Sequence, residues 1–111
     1  LVVDADVDER IVLGPDVDNA LYGIASEAIR NVARHAGATR CEIALRELDG
    51  CAELVVADDG IGIDPATPSG VGLQSMRERA TASGAELTIA ARTDGGTLVR
   101  VRVPVWTGAP A

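Results

Sequence analysis

Leu54-Val55-Val56-Ala57-Asp58-Asp59-Gly60-Ile61-Gly62 is the stretch on which the reading of the whole chain turns. A run of apolar, strand-forming residues ends in two acids and then in glycines. Such an ending is poorly suited to filling a core and well suited to presenting a carboxylate at a cleft, where glycines let a ligand approach the backbone. Taken alone, the stretch also reads as an ordinary acidic turn. The residues on either side decide between the two.

Upstream, Cys41, Ile43 and Leu45 alternate with Glu42, Ala44 and Arg46, the period of a half-buried strand, and Asp49-Gly50 supplies a turn into the run Ala52 to Ala57. This pattern predicts an antiparallel hairpin whose second, more continuously apolar strand lies centrally. Further upstream, Leu21, Ile24, Ala25, Ala28, Ile29, Val32 and Ala36 recur at spacings of three and four and predict the strongest helix of the chain. Asp16 or Asp18 can cap its start and Gly37 stops it. At about 100° per residue, Glu27, Asn31 and Arg34 fall along one flank of the apolar stripe, with His35 at the edge between flank and stripe. A polar row beside a core borders either solvent or a cleft.

At the beginning, Leu1-Val2-Val3 and Ile11-Val12-Leu13 are separated by the acidic stretch Asp4 to Glu9, which predicts an edge strand followed by a loop. Asp4, Asp6 and Asp8 resemble the opening of a calcium loop. Glu9, however, stands where glycine is needed, and Pro15 where a bidentate glutamate is needed, so calcium is excluded.

Downstream of the opening stretch, the two prolines of Asp64-Pro65-Ala66-Thr67-Pro68-Ser69-Gly70 exclude regular structure and predict an exposed, mobile loop. A second helix is expected from Val71, with Leu73, Met76 and Ala80 inward and Gly84 at its end. Leu87, Ile89 and Ala91 then alternate with Glu86, Thr88 and Arg92; Asp94-Gly95-Gly96 makes a hairpin turn; Val99, Val101 and Val103 alternate with Arg100 and Arg102. Residues 105–111 are expected to be a disordered tail. The sum is an α+β fold: a two-layer sandwich of a mixed, mainly antiparallel sheet with helices on one face, forming a single domain over residues 1–111.

Composition narrows the function classes. A length of 111 residues with 47% hydrophobic content supports one real core. The balance of 10 basic and 17 acidic residues, net charge -7, repels nucleic acid and anionic membrane surfaces, so neither is an expected partner. A polyanionic ligand would have to be held locally, by backbone amides, a few cations or a metal. No run approaches the ~20 apolar residues of a membrane span, and no signal peptide opens the chain, so a cytoplasmic domain is expected, with the parent protein free to be membrane-anchored. The absence of an initiator Met suggests a piece of a longer protein. Cys41 and Cys51 lie in strand patterns without metal-ligand spacing and read as reduced thiols.

Three signals carry chemistry. Asn31 and Glu27 offer a neutral and an anionic oxygen one helical turn apart, suited to Mg²⁺ that keeps waters and bridges phosphates, with Arg34 able to neutralise phosphate charge. Gly70-Val71-Gly72 leads into a helix whose free first-turn amides could hold phosphate. Asp58 can accept from an exocyclic amine such as that of adenine, with Ile61, Ile63 and Leu73 as apolar surface for the ring. Each signal also has a plainer reading: a solvated helix flank, a flexible joint, an acidic turn.

In this order the residues resemble the ATP-binding catalytic domain of sensor histidine kinases, within the GHKL superfamily with the Bergerat fold, over nearly the whole chain. Glu27-Ala-Ile-Arg-Asn31-Val-Ala-Arg-His35-Ala is similar to the family's N box, Asp58-Asp-Gly60-Ile-Gly62 to its first glycine box, and Gly70-Val-Gly72-Leu73 to its second. Gln74-Ser-Met76-Arg77-Glu78-Arg79-Ala80 resembles the stretch that follows in the NarL-type subfamily. The resemblance implies a protein-histidine kinase domain that binds ATP and Mg²⁺. Asn31 would ligate the metal. Glu27 would be the catalytic residue, sitting by the metal's waters or assisting proton removal. Asp58 would bind adenine with Thr97 helping through a water, and Gly60, Gly62, Ile63, Gly70, Val71, Gly72 and Leu73 would line the nucleotide. Residues 64–70 would form the ATP lid.

The implied partners are a separate dimerisation and phosphoacceptor domain and, through the complete kinase, a response regulator. Dimerisation is expected to reside in that separate domain, leaving this chain a monomer. Two departures from the family pattern matter. The lid is short and Phe is absent from the chain, which resembles the NarL-type subfamily; and the only histidine, His35, lies inside the N box, so no acceptor histidine is present and the chain is not expected to autophosphorylate alone. The other function carried forward is an anti-sigma-factor-like module of the same fold, binding a protein and phosphorylating a serine.

Overall fold

The computed structural model describes residues 2–35, 37–60, 71–93 and 95–104, apart from the side chains of residues 34, 35 and 71–73. Along the chain it places β1 (Val2–Val7), α1 (Pro15–His35), β2 (Arg40–Leu48), β3 (Cys51–Asp58), α2 (Val71–Ser83), β4 (Glu86–Ala91) and β5 (Thr97–Pro104). The strands form a five-stranded sheet in the order β1-β2-β3-β5-β4. β1 and β2 are parallel, joined across α1, and the other neighbouring pairs are antiparallel. The expected α+β architecture is therefore the observed one.

The predicted hairpin forms around Asp49-Gly50, with Leu48 opposite Cys51 and Cys41 opposite Asp58. β3, flanked by β2 and β5, is the central strand, and this is why its sequence is nearly continuously apolar: Ala52, Leu54, Val56 and Ala57 are all buried. β5 alternates cleanly, burying Val99, Val101 and Val103 and pointing Arg100 and Arg102 away from the core. On β4 the inward set is shorter than expected. Leu87 and Ile89 face the core, but Ala91 is exposed where the strand meets Thr97 at the end of the ladder.

α1 lies over β3 and β5 and packs against α2, which lies over β4. Leu21, Ile24, Ala28 and Val32 from α1, with Met76 and Ala80 from α2, meet Cys41, Leu54, Val56, Val101 and Val103 of the sheet in one core. Burying a side chain the size of Ile24 or Val101 contributes about 2 kcal/mol. Helix ends follow local chemistry. Pro15 occupies the first helical position of α1, and the Asp18 amide donates to the Gly14 carbonyl at 2.8 Å. Asp16 and Asp18 thus sit inside the first turn, where their charge favours the helix dipole, instead of capping it from outside. α2 ends in a Schellman motif: Gly84 takes φ of 73°, its amide donates to the Thr81 carbonyl, and the Ala85 amide donates to the Ala80 carbonyl at 2.9 Å.

The start of the chain has the expected edge strand followed by a loop. The strand runs through Asp4 and Asp6 in parallel register with Glu42 and Ala44, and Asp8 and Glu9 lie beyond its end. The Asp4 and Asp6 carboxylates accept from Arg40 at 3.0 Å and Arg46 at 3.1 Å, both on β2. Strict alternation puts the acids on one side of an edge strand, where charge also discourages pairing with another chain. The expected lid (64–70) and tail (105–111) lie outside the described residues, as does Asp94 of the last turn. Among the described residues no helix is long and apolar enough to cross a membrane.

Candidate functional site

Between α1, α2 and the sheet lies a cleft lined by Ala28, Asn31, Val32, Val56, Asp58, Met76, Thr97 and Val99. Three of the expected site residues, Asn31, Asp58 and Thr97, meet here from α1, β3 and β5. Their convergence follows from local structure. Asn31 stands on the flank of the α1 stripe, one turn beyond Ala28, so burying Ala28 and Val32 carries it to the edge of the core. Asp58 continues the inward alternation of Ala52, Leu54 and Val56, and Thr97 that of Val99, Val101 and Val103. Each strand thus ends its apolar row on a polar side chain at the same rim. Both are nearly closed off, Asp58 at 4% and Thr97 at 2% exposure. The inner space of the cleft is about 10 Å³, room for the centre of about one water, so a larger ligand would lie across its mouth or spread its walls.

The chain around Asp58 is fixed on several sides. The Gly60 amide donates to Asp58 Oδ1 at 2.8 Å, closing the turn on the carboxylate itself. The backbone carbonyl of Asp58 accepts from Arg92 Nη1 at 2.8 Å. Gly96, with φ of 96°, presses against that same carbonyl so closely that a Cβ there would collide with it. Only glycine satisfies both the backbone angle and the approach. On the β2 side, Asp59 accepts from the Thr39 amide at 2.8 Å, the Thr39 hydroxyl at 2.6 Å and the Arg40 amide at 3.0 Å. The Thr39 hydroxyl and then the Arg40 amide hold the Asp59 carboxyl down to about 2. Behind the site, Cys41 is buried opposite Asp58, and burial, helped by the negative charge of Asp58, pushes its thiol up. A raised thiol pKa makes an inert core group, in keeping with both cysteines being free.

The helix flank is built differently. Glu27, one turn before Asn31, is half-buried and its Oε1 accepts from Arg30 Nη1 at 2.7 Å on the same helix. It is not among the residues lining the cleft. Arg34 belongs to α1, but its side chain is outside the described residues, as are Gly62, Ile63 and Gly70 entirely. Val71, Gly72 and Leu73 form the first turn of α2, which carries no acid there. Among the described residues no cluster of three or more His, Cys, Asp or Glu could hold a metal ion. Asn31 and Glu27 offer two oxygens one helical turn apart, so a cation held there would draw most of its ligands from phosphate and water.

Sequence reasoning missed three supporting residues. Arg92 and Asp59 act on partners 34 and 19–20 residues away, which no local pattern reveals. Gly96 was visible only as part of a turn. The described apolar walls are Ala28, Val32, Val56, Met76 and Val99, whereas the expected Ile61, Ile63 and Leu73 lie outside the described side chains.

Residues 16–107 match the family model for histidine kinase-, DNA gyrase B- and HSP90-like ATPases. The chain belongs to this family, as an ATPase domain of the kind found in sensor histidine kinases. It is 36% identical over 109 residues to the sensor histidine kinase NarS of Mycobacterium tuberculosis, covering 93% of this chain and 25% of NarS. It is 34% identical over 91 residues to the sensor protein VraS of Staphylococcus aureus, covering 80% of this chain and 26% of VraS. The chain spans about a quarter of the length of these curated relatives. Among solved structures, the histidine kinase domain of the Erythrobacter litoralis EL346 blue-light activated histidine kinase aligns with a TM-score of 0.81 at 23% identity, over 94% of this chain and 51% of that one. The ATP binding domain of PrrB from Mycobacterium tuberculosis aligns with a TM-score of 0.72 at 20% identity, over 95% of this chain and 82% of that one. At these identities the likeness is one of fold.

Proposed function

We propose that this chain is the ATP-binding catalytic domain of a two-component sensor histidine kinase, holding MgATP in the cleft between α1 and the sheet and presenting the γ-phosphoryl group to a histidine on a separate dimerisation domain. The observation that carries this reading is the convergence of Asn31, Asp58 and Thr97, from three separate elements, on one cleft. In this reading the Asp58 carboxylate accepts from the exocyclic amine of adenine and Thr97 supports that contact. The ring lies against Val56, Val99 and Met76, and Met76, being unbranched, is the wall best able to give way to it.

The triphosphate then runs toward Asn31. The Asn31 amide oxygen, with Glu27 beside the metal's waters, would hold Mg²⁺, which would neutralise phosphate charge. The pair with half-exposed Arg30 occupies Glu27 Oε1, leaves Oε2 able to accept, and costs little to break. The first-turn amides of α2, with no competing acid, suit the phosphates. Phosphoryl transfer depends chiefly on positioning and charge neutralisation, so these groups are a sufficient contribution from this chain. A response regulator would be the downstream partner of the complete kinase.

Mixing the chain with the acceptor domain of its parent kinase and radiolabelled ATP tests the reaction. Acid-labile phosphohistidine on the acceptor is expected, and none on this chain alone. Acid-stable phosphoserine on a protein partner, with no phosphohistidine, would contradict the proposal in favour of the anti-sigma-like function.

A further inference from the structure

We propose that Arg92 is a positioning residue for adenine recognition, acting through the backbone of Asp58; this rests on the assignment of Asp58 to adenine. The β3–β5 ladder ends at Ala57 opposite Leu98, so the Asp58 carbonyl lies one residue beyond the last paired position. Arg92 Nη1 donates to that carbonyl at 2.8 Å, from a side chain that is half-buried. A cation thus takes the place of the missing strand partner, and a hydrogen bond from a charged donor is about twice as strong as a neutral one.

Arg92 is itself anchored by the turn it begins. Its amide donates to the Gly96 carbonyl at 3.1 Å, and its carbonyl accepts from the Gly95 amide at 3.2 Å. The β4–β5 turn, the guanidinium and the Asp58 carbonyl are therefore one connected unit, with Gly96 packed against the same carbonyl. Asp58 is the last residue of β3, and the direction of its carboxylate depends on how this peptide is held. On the other side, Asp59 holds the chain to β2 through Thr39 and Arg40, so Arg92 fixes the side that faces β5.

The readout is selectivity at the amine. ATP and inosine triphosphate differ in the group that Asp58 would contact: the amine donates to a carboxylate and the inosine carbonyl cannot. Wild-type chain should prefer ATP by roughly tenfold or more in calorimetric Kd. Arg92→Ala should shrink the ATP-to-inosine-triphosphate ratio by roughly fivefold, and Arg92→Lys, which keeps a charged donor, should restore most of it. Arg92→Gln provides the same reading should the alanine variant not fold. A merely structural role would weaken both ligands in parallel and leave the ratio unchanged, and that result would overturn the proposal. Asp58→Ala in the same series separates the two levels. If it abolishes the preference while Arg92→Ala and Arg92→Gln keep it, only the role of Arg92 falls; if Asp58→Ala keeps the preference, the adenine assignment falls and the inference with it.

Discussion

The two ends of the cleft are built on opposite principles. At the β3 end, Asp58 is almost wholly buried, and its carboxylate, its carbonyl and the following residue are each hydrogen-bonded to a different part of the chain. At the α1 flank, Glu27 is paired, among the described residues, with its helical neighbour Arg30, and Asn31 is half-buried at the cleft edge. A rigid carboxylate suits a flat ring whose amine must be met at one position. Side chains on an open helix flank suit a hydrated cation and a flexible chain of phosphates, which differ in arrangement before and after transfer. Under the proposed function, the rigid end serves specificity and the open flank serves the chemistry.

Gly96→Ala should break the rigid end most severely. The new Cβ would meet the Asp58 carbonyl, and alanine at φ of 96° is strained besides. A stability loss of about 2 kcal/mol or more is expected in urea unfolding, together with loss of nucleotide binding. An alanine variant of wild-type stability would show that the β4–β5 turn does not clamp Asp58.

Asp59 sharpens the comparison through pH. Its carboxyl is held down to about 2 in the folded chain, below the ordinary 3.8, so the folded form is the stronger acid. Its stabilising contribution is fully present above about 4 and is lost as pH falls toward about 2. Asp59→Ala should lower the unfolding midpoint modestly at neutral pH. The gap from wild type should close across that acid window. A gap that stayed constant down to pH about 2 would mean that the Thr39 and Arg40 bonds do not depend on the charge.

The fold was legible because period and turn chemistry agreed at every element. The apolar stripe of α1, the Asp49-Gly50 hairpin, the glycine stop at Gly84 and the alternating valines of β5 each specify one local answer. The edge strand β1 was foreseen but not how far it runs into the acidic stretch, because a strand exposed along its whole length buries no face to mark its end. Of the site, Asp58 and Asn31 could be read from pattern, an acid ending an apolar strand and an amide flanking an apolar stripe. Thr97 was reached only through family resemblance. Asp59 ties β3 to the start of β2, and Arg92 grips Asp58 from β4's end. Both roles depend on strand order, which brings together residues that no sequence window contains.

The most direct measurement of this division is calorimetric titration of ATP, with and without Mg²⁺, into the wild-type chain, Asp58→Ala and Asn31→Ala. Asp58→Ala is predicted to lose roughly 10- to 100-fold in affinity whether or not Mg²⁺ is present. Asn31→Ala is predicted to keep metal-free binding and lose most of the gain that Mg²⁺ confers. Unchanged ATP affinity in Asp58→Ala would contradict the assignment of this cleft to adenine.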